Sequence, residues 1–329
     1  MGFRLSVVLF FLLSGIASIS QTDTGKETYT KMLKVQNNIY VLQSDGGNIG
    51  LSFGKDGIFM VDDFFSGNVE QMQKEIKKIS DKPVRFVVNT HFHNDHSGGN
   101  PILAKEGATI FSHELVRERL MKVMNEGAKK LSEDLLPMVT FEEKINFYFN
   151  NEKIVVFHVP NAHTDGDVMV YFTQSNVLQT GDVFVNGQYP FIDLKNGGSV
   201  KGYEAGIQKA LALINQQTKI IPGHGPISTY KELENNLRLL SVTYKKVTQQ
   251  VLLGKTEDEV ANMKELTDTY NESGYKPGYV TADDFIRTLY KDASSGSSEK
   301  KERLKENEDA RKKYEQIKRQ QESKKKKKN

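Results

Sequence analysis

A mixed α/β fold, a four-layer αββα sandwich, is the fold class this sequence predicts. Three observations carry the prediction. Strand-like and helix-like segments alternate through the middle of the chain. The strand-like runs fall into two groups, which calls for two sheets face to face with helices outside. Several apolar runs stop at Gly-rich turns, the place where such a scaffold holds a site on loops anchored by rigid elements. No internal repeat of fixed period appears, so a solenoid is excluded.

Taken in order, residues 21–33 are polar and read as loose. Residues 39–43 and 49–53 read as two strands joined by Ser44, Asp45, Gly46, Gly47 and Asn48, a hairpin signal. Residues 57–61 form a third strand that stops at Asp62 and Asp63. Ser66 is placed to cap a helix with Val69, Met72, Ile76 and Ile79 on one side, ended by Pro83. The apolar run at 83–90 is the next strand, giving β–α–β. Residues 108–111 make a short strand, after which Ser112 caps a helix carrying Leu115, Arg119, Leu120 and Val123. Residues 129–141 are a long connection able to overhang a site. Strands follow at 145–149, 153–159, 168–172 and 177–180, a helix at 199–214, a short strand at 219–221 and a helix at 229–251. Two further helices start near Thr256 and Thr281, the second with a capping-box pattern.

This reading divides the chain into a signal peptide at 1–20, a main domain at 21–252, a helical extension at 253–293 and, at 294–329, a Ser/Gly linker (Ala293 to Ser298) with a charged, Lys-rich tail. Arg4 and the apolar residues 5–13 resemble an export signal, too short to span a bilayer as a mature helix, with cleavage expected after Ser20. The expected location is therefore a bacterial periplasm or outside the cell. The chain has no cysteine, which removes disulfides, a lipid-modified cysteine and thiolate metal ligands. The net charge of +3 hides an asymmetry: residues 299–329 carry +7 and residues 1–298 carry −4. A nucleic-acid face on the folded body is thus not expected, and the Lys-rich tail, with its partner unidentified, reads as a solvated segment.

Five of the seven histidines and two aspartates form an ordered set at strand ends: His91, His93, Asp95, His96, His163, Asp182 and His224. Zinc takes imidazole nitrogen and carboxylate oxygen when thiolate is absent. At a strand end both rings of His91-Phe92-His93 can converge on one ion, while His96 points differently and reaches a neighbouring ion. Asp182 is the natural shared carboxylate. His113 and His158 read as structural residues, and Asp165 and Asp167 as turn residues or orienters of His163.

The string His91-Phe92-His93-Asn94-Asp95-His96, followed by His163, Asp182 and His224, resembles the metallo-β-lactamase-fold hydrolase superfamily over roughly residues 35–240. The resemblance implies two zinc ions. His91, His93 and His163 would hold one and Asp95, His96 and His224 the other, with Asp182 shared and Asp62 supporting the site from behind. Two cations about 3.5–4 Å apart lower the pKa of a bridging water from about 15.7 toward about 7. The implied reaction is hydrolysis of an ester, lactone, thioester or amide of a small molecule by that hydroxide, with Asp95 as the catalytic carboxylate. The commonest dizinc β-lactamases of the superfamily use a cysteine where Asp182 stands and a lysine three residues later, where this chain has Val185. β-Lactam hydrolysis is therefore the alternative rather than the leading expectation, beside a non-catalytic metal-binding or partner-binding protein. The wording around His163 and Asp182 is closest to the secreted, cyclase-like members. Phe64, Phe65, Tyr189 and Phe191, just past site-bearing strands, are candidate walls of a substrate pocket.

Overall fold

The computed structural model describes residues 30–44, 46–127 and 132–295. Two sheets are present. The first runs β1 (Thr30–Gln36), β2 (Ile39–Ser44), β3 (Gly47–Gly54), β4 (Gly57–Val61), β5 (Val84–Val88), β6 (Thr109–His113) and β7 (Val139–Phe141) in sequence order. Its first four strands are antiparallel, and β4 to β7 are parallel. The second contains β8 (Lys144–Phe149), β9 (Glu152–His158), β10 (Val168–Phe172), β11 (Val177–Gln179), β12 (Lys219–Ile221) and β13 (Ser228–Thr229), again in order across the sheet.

The period-2 alternation of each strand explains the layering. In β4, Phe59 and Val61 face the second sheet and pack with Phe147, Val170 and Phe172, whereas Ile58 and Met60 face outward. That outer face is covered by α1 (Val69–Lys77) and by α3 (Asn100–Lys105), which follows the single turn α2 (Asn94–Ser97). α4 (Glu114–Glu126) packs Val116 and Leu120 on Leu135 in a smaller cluster. Outside the second sheet, Met169 and Leu178 meet α5 (Val200–Leu213) and α6 (Tyr230–Leu252). The same cluster takes in residues from α7 (Glu257–Ala261), α8 (Asp268–Glu272) and α9 (Ala282–Ser295), so residues 253–293 share the core of the second half. The order is helix, sheet, sheet, helix: the expected αββα sandwich. Among the described residues no helix is long and apolar enough to cross a membrane.

Several local expectations need correction. Residues 30–33 are not loose; they open β1, an edge strand whose Lys31 and Lys34 face solvent while Met32, Leu33 and Val35 are half-buried. Polar edge strands carry little periodic signal because charge on the free edge discourages pairing with other chains. Ser66 does not cap α1; it starts a short 3-10 turn, and Ile79, past the helix end, is 45% exposed. Ser112 stays in β6 and its hydroxyl donates to the His113 carbonyl, so it is His113 that caps α4, its Nδ1 accepting from the Leu115 amide. Val123 on that helix is also 45% exposed. Part of the long connection joins the first sheet as β7, and α9 runs through Ala293, Ser294 and Ser295. Ser199, Thr229 and Thr256 cap their helices, the last two in full capping boxes. The export signal at 1–20 and the Lys-rich tail lie outside the described residues.

Candidate metal centre

All seven side chains sit in the connections that follow strands, at one edge of the sandwich, Asp95 and His96 in the single turn α2. The turn after β5 carries His91 to His96, the loop after β9 carries His163, the turn after β11 carries Asp182 and the turn after β12 carries His224. Glycine makes two of these approaches possible. A Cβ on Gly223 would run into Asp182 Oδ1, and Gly181 takes the left-handed region with φ 52° beside Thr90. The β2–β3 hairpin is not a free flap: the Asn48 amide donates to Gly223 O at 2.9 Å, and the Asn48 side chain donates to Pro222 O and Gly225 O. The hairpin therefore clamps the His224 loop.

His91 Nε2 lies 3.1 Å from His93 Nδ1, which lies 2.9 Å from His163 Nε2. His224 Nε2 lies 3.4 Å from both His96 Nε2 and Asp95 Oδ2, and Asp95 Oδ2 lies 3.5 Å from His96 Nε2. Asp182 stands between the two groups, 3.3 Å from His96, 3.4 Å from His224 and 3.9 Å from His163. Three overlapping ligand sets can hold a cation: His91 with His93 and His163; His91 with His96 and Asp182; Asp95 with His96 and His224.

The opposite ring nitrogens assign the protons. Thr90 Oγ1 donates to Asp62 Oδ2, so the hydrogen between Thr90 Oγ1 and His91 Nδ1 belongs to His91. His93 Nε2 faces Asp193 Oδ2 at 3.1 Å, His96 Nδ1 faces Asp62 Oδ2 at 2.9 Å, and His163 Nδ1 donates to Phe191 O at 2.8 Å. In each case the outer partner accepts, so each ring, once its inner nitrogen is free of a proton, turns a lone pair inward. Four lone pairs then converge with the carboxylates of Asp95 and Asp182. Asp182 Oδ1 is buried and accepts no hydrogen bond. Such a donor set repels itself unless positive charge sits among it, and nitrogen and carboxylate donors of this kind fit zinc.

The two halves differ electrostatically. Burial, with neighbouring imidazoles, drives His91 well below the usual histidine range, and burial beside His93 lowers His163 to about 4. In the other half burial opposes charge but the carboxylates prevail. Asp182 and Asp95 raise His224 to about 9, and Asp95, Asp182 and Asp62 hold His96 well above its usual range. Asp95 and Asp182 are in turn held well below the usual carboxylate range against their burial.

Asp62 accepts from the Thr90 amide and hydroxyl and from His96. Asp167 accepts from the Thr164 amide and hydroxyl and shapes the His163 turn, while Asp165 pairs with Arg119 at 2.5 Å. Sequence reasoning missed Asp193, whose carboxylate is also bound by Asn196 Nδ2, itself linked through Oδ1 to Arg119. Of the four aromatic candidates, Phe191 stacks on His93 at 5.8 Å, and Phe65 is half-buried with its ring beside Gly46. Phe64 and Tyr189 are corrections. Phe64 takes φ 64° and enters the core with Met72 and Leu103; Tyr189 is buried against Tyr270 and Phe285. Neither walls a pocket.

Comparison with known proteins gives the family. The family model for the metallo-beta-lactamase superfamily matches residues 34–226, more than half of the chain. The chain belongs to that superfamily. Among curated relatives it is 24% identical over 243 residues to metallo-beta-lactamase IND-1 of Chryseobacterium indologenes, covering 71% of this chain and 96% of that one. It is 23% identical over 288 residues to a linear primary-alkylsulfatase of a Pseudomonas strain, covering 71% of this chain; the match spans only 53% of the alkylsulfatase. Among solved structures, a metallo-beta-lactamase from Pontibacter korlensis aligns with TM-score 0.55 and 21% identity over 65% of this chain and 99% of that one. A sec-alkyl sulfatase aligns with TM-score 0.65 and 14% identity over 80% of this chain and 50% of that one. At these identities the structural matches establish the fold. The superfamily match ends at residue 226, before α6 and the C-terminal helices.

Proposed function

We propose that the protein is a zinc-dependent hydrolase of a small ester, lactone, thioester or amide. His91, His93 and His163 hold one ion; Asp95, His96 and His224 hold the other; Asp182 is shared. The observation that carries this reading is the position of Asp182, whose carboxylate lies within 3.3–3.9 Å of ring nitrogens from both groups. When bound, two such ions polarise the substrate carbonyl and make water acidic enough to supply hydroxide near neutral pH. The protein's own groups do the rest. Asp95 Oδ2, between His96 and His224, orients the attacking water and accepts its proton. Asp62 and Asp193 fix the rings of His96 and His93. Export to a periplasm or beyond the cell belongs to this reading on the strength of residues 5–13 alone.

A second reading, β-lactam hydrolysis, draws support from the β-lactamase relatives. Against it, Val185 is buried in a backbone bridge with His224 and offers no cation for a substrate carboxylate. A panel of aryl esters, lactones, thioesters, an alkyl sulfate and nitrocefin, run with and without chelator alongside zinc analysis, separates the readings. Chelator-sensitive turnover of a carbonyl ester or lactone is expected. Turnover of nitrocefin alone would promote the β-lactamase reading. Turnover of nothing with two zincs bound would leave a binding protein.

A further inference from the structure

Tyr279 is one of the few large aromatic side chains left exposed, at 69%. It lies in the C-terminal extension, outside the residues that match the superfamily. The segment around it is firmly fixed. Tyr275 and Val280 are buried on either side, the Lys276 amide donates to Gly187 O at 2.9 Å, and Gly278 lies tight against the Gln188 side chain. Tyr279 is thus held in place without its ring being used for core packing. Among the described residues its ring contact is edge-on to Phe191 at 5.3 Å.

Phe191 in turn touches the metal centre, stacking on His93 and meeting His163 at 5.3 Å. His93 also meets Phe92 at 4.6 Å. The His93 side of the centre is therefore aromatic, and the wall continues outward to the exposed Tyr279. Arg119, which reaches this network through Asn196, is bound by Asp165 and Asn196. An aromatic wall of this kind recognises apolar surface.

We propose that Tyr279, with Phe191, forms a subsite for an aryl or medium-length alkyl group of the substrate. The hydrolase acts on esters carrying such a group beside the scissile carbonyl. This deepens the hydrolase reading above and rests on it.

The test uses the zinc-loaded full chain, wild type against Tyr279→Ala and Tyr279→Phe, with 4-nitrophenyl octanoate and acetate as substrates. Binding of octanoate and acetate is measured by calorimetry in parallel. Tyr279→Ala is expected to lower kcat/KM for the octanoyl ester about tenfold, equivalent to about 1.4 kcal/mol, chiefly through KM. The acetyl ester should stay within about twofold, octanoate binding should weaken by a similar tenfold factor, and Tyr279→Phe should restore both. Equal losses on the two esters, or unchanged octanoate binding, overturn the subsite. Wild-type protein that cleaves neither ester but binds octanoate in a Tyr279-dependent way would overturn the hydrolase reading and keep the subsite.

Discussion

Two groups of histidines share this molecule and behave in opposite ways. His113 and His158 stack with ring centroids 3.7 Å apart, and their nitrogens are taken up by backbone: His113 by the Leu115 amide and Glu142 O, His158 by Asp165 O. Burial keeps both pKa values below the usual range, and the pair is a neutral packing unit. In the other group, His91, His93, His96 and His163 each anchor one nitrogen outward and aim the second at one another and at Asp95 and Asp182. The same residue type is satisfied by backbone in one place and incompletely satisfied by protein in the other. The difference teaches that inward lone pairs beside buried carboxylates, rather than histidine content, mark the metal centre.

Breaking the shared carboxylate should have the largest effect. Asp182→Ala is expected to bring zinc below two per chain and to lower kcat/KM about a thousandfold, about 4 kcal/mol of transition-state stabilisation. Two retained zincs with activity within about tenfold of wild type would mean the five rings do not act as one centre. Loosening an outward anchor should cost less. Asp193→Ala frees the His93 ring, and zinc affinity measured by chelator competition should fall about 10- to 100-fold, with Asp193→Asn losing less because an acceptor oxygen remains. Equal affinity in all three proteins would reduce Asp193 to a loop residue.

The smallest effect belongs to the stacked pair. Because burial depresses both pKa values, the unfolded chain binds protons that the folded chain refuses. Their contribution to stability is complete above about pH 6.5 and declines as pH falls through and below that value. Thermal melts of His158→Phe between pH 7.5 and 5 should therefore show a shallower loss of stability on acidification than wild type. Parallel curves would show that the pair is not held neutral.

Much of this is legible in the amino-acid sequence. Apolar runs ending at His91, Asp182 and His224 place chemistry at strand ends, because a strand that leaves its sheet delivers its next side chains to that edge. Asp193 was not legible. It lies in a loop of ordinary composition and becomes relevant only where that loop folds back on His93. Phe64 and Tyr189 failed for a related reason: nearness in sequence to a site residue does not set the direction of a side chain, and the left-handed turn at Phe64 sends its ring inward. β1 escaped notice because an edge strand with lysines has no apolar alternation. Tyr279 sits in an extension where helix spacing reveals packing but not what the intervening loop reaches.

The carboxylate seated at Asp182 also sets the chemical temperament of the centre. With no thiol anywhere in the chain, peroxide has no ligand to convert to a sulfenic acid, and alkylating reagents such as iodoacetamide find no thiolate to cap. A ligand set built wholly from imidazole and carboxylate keeps its donors under oxidants that would strip a sulfur-bound ion from its protein.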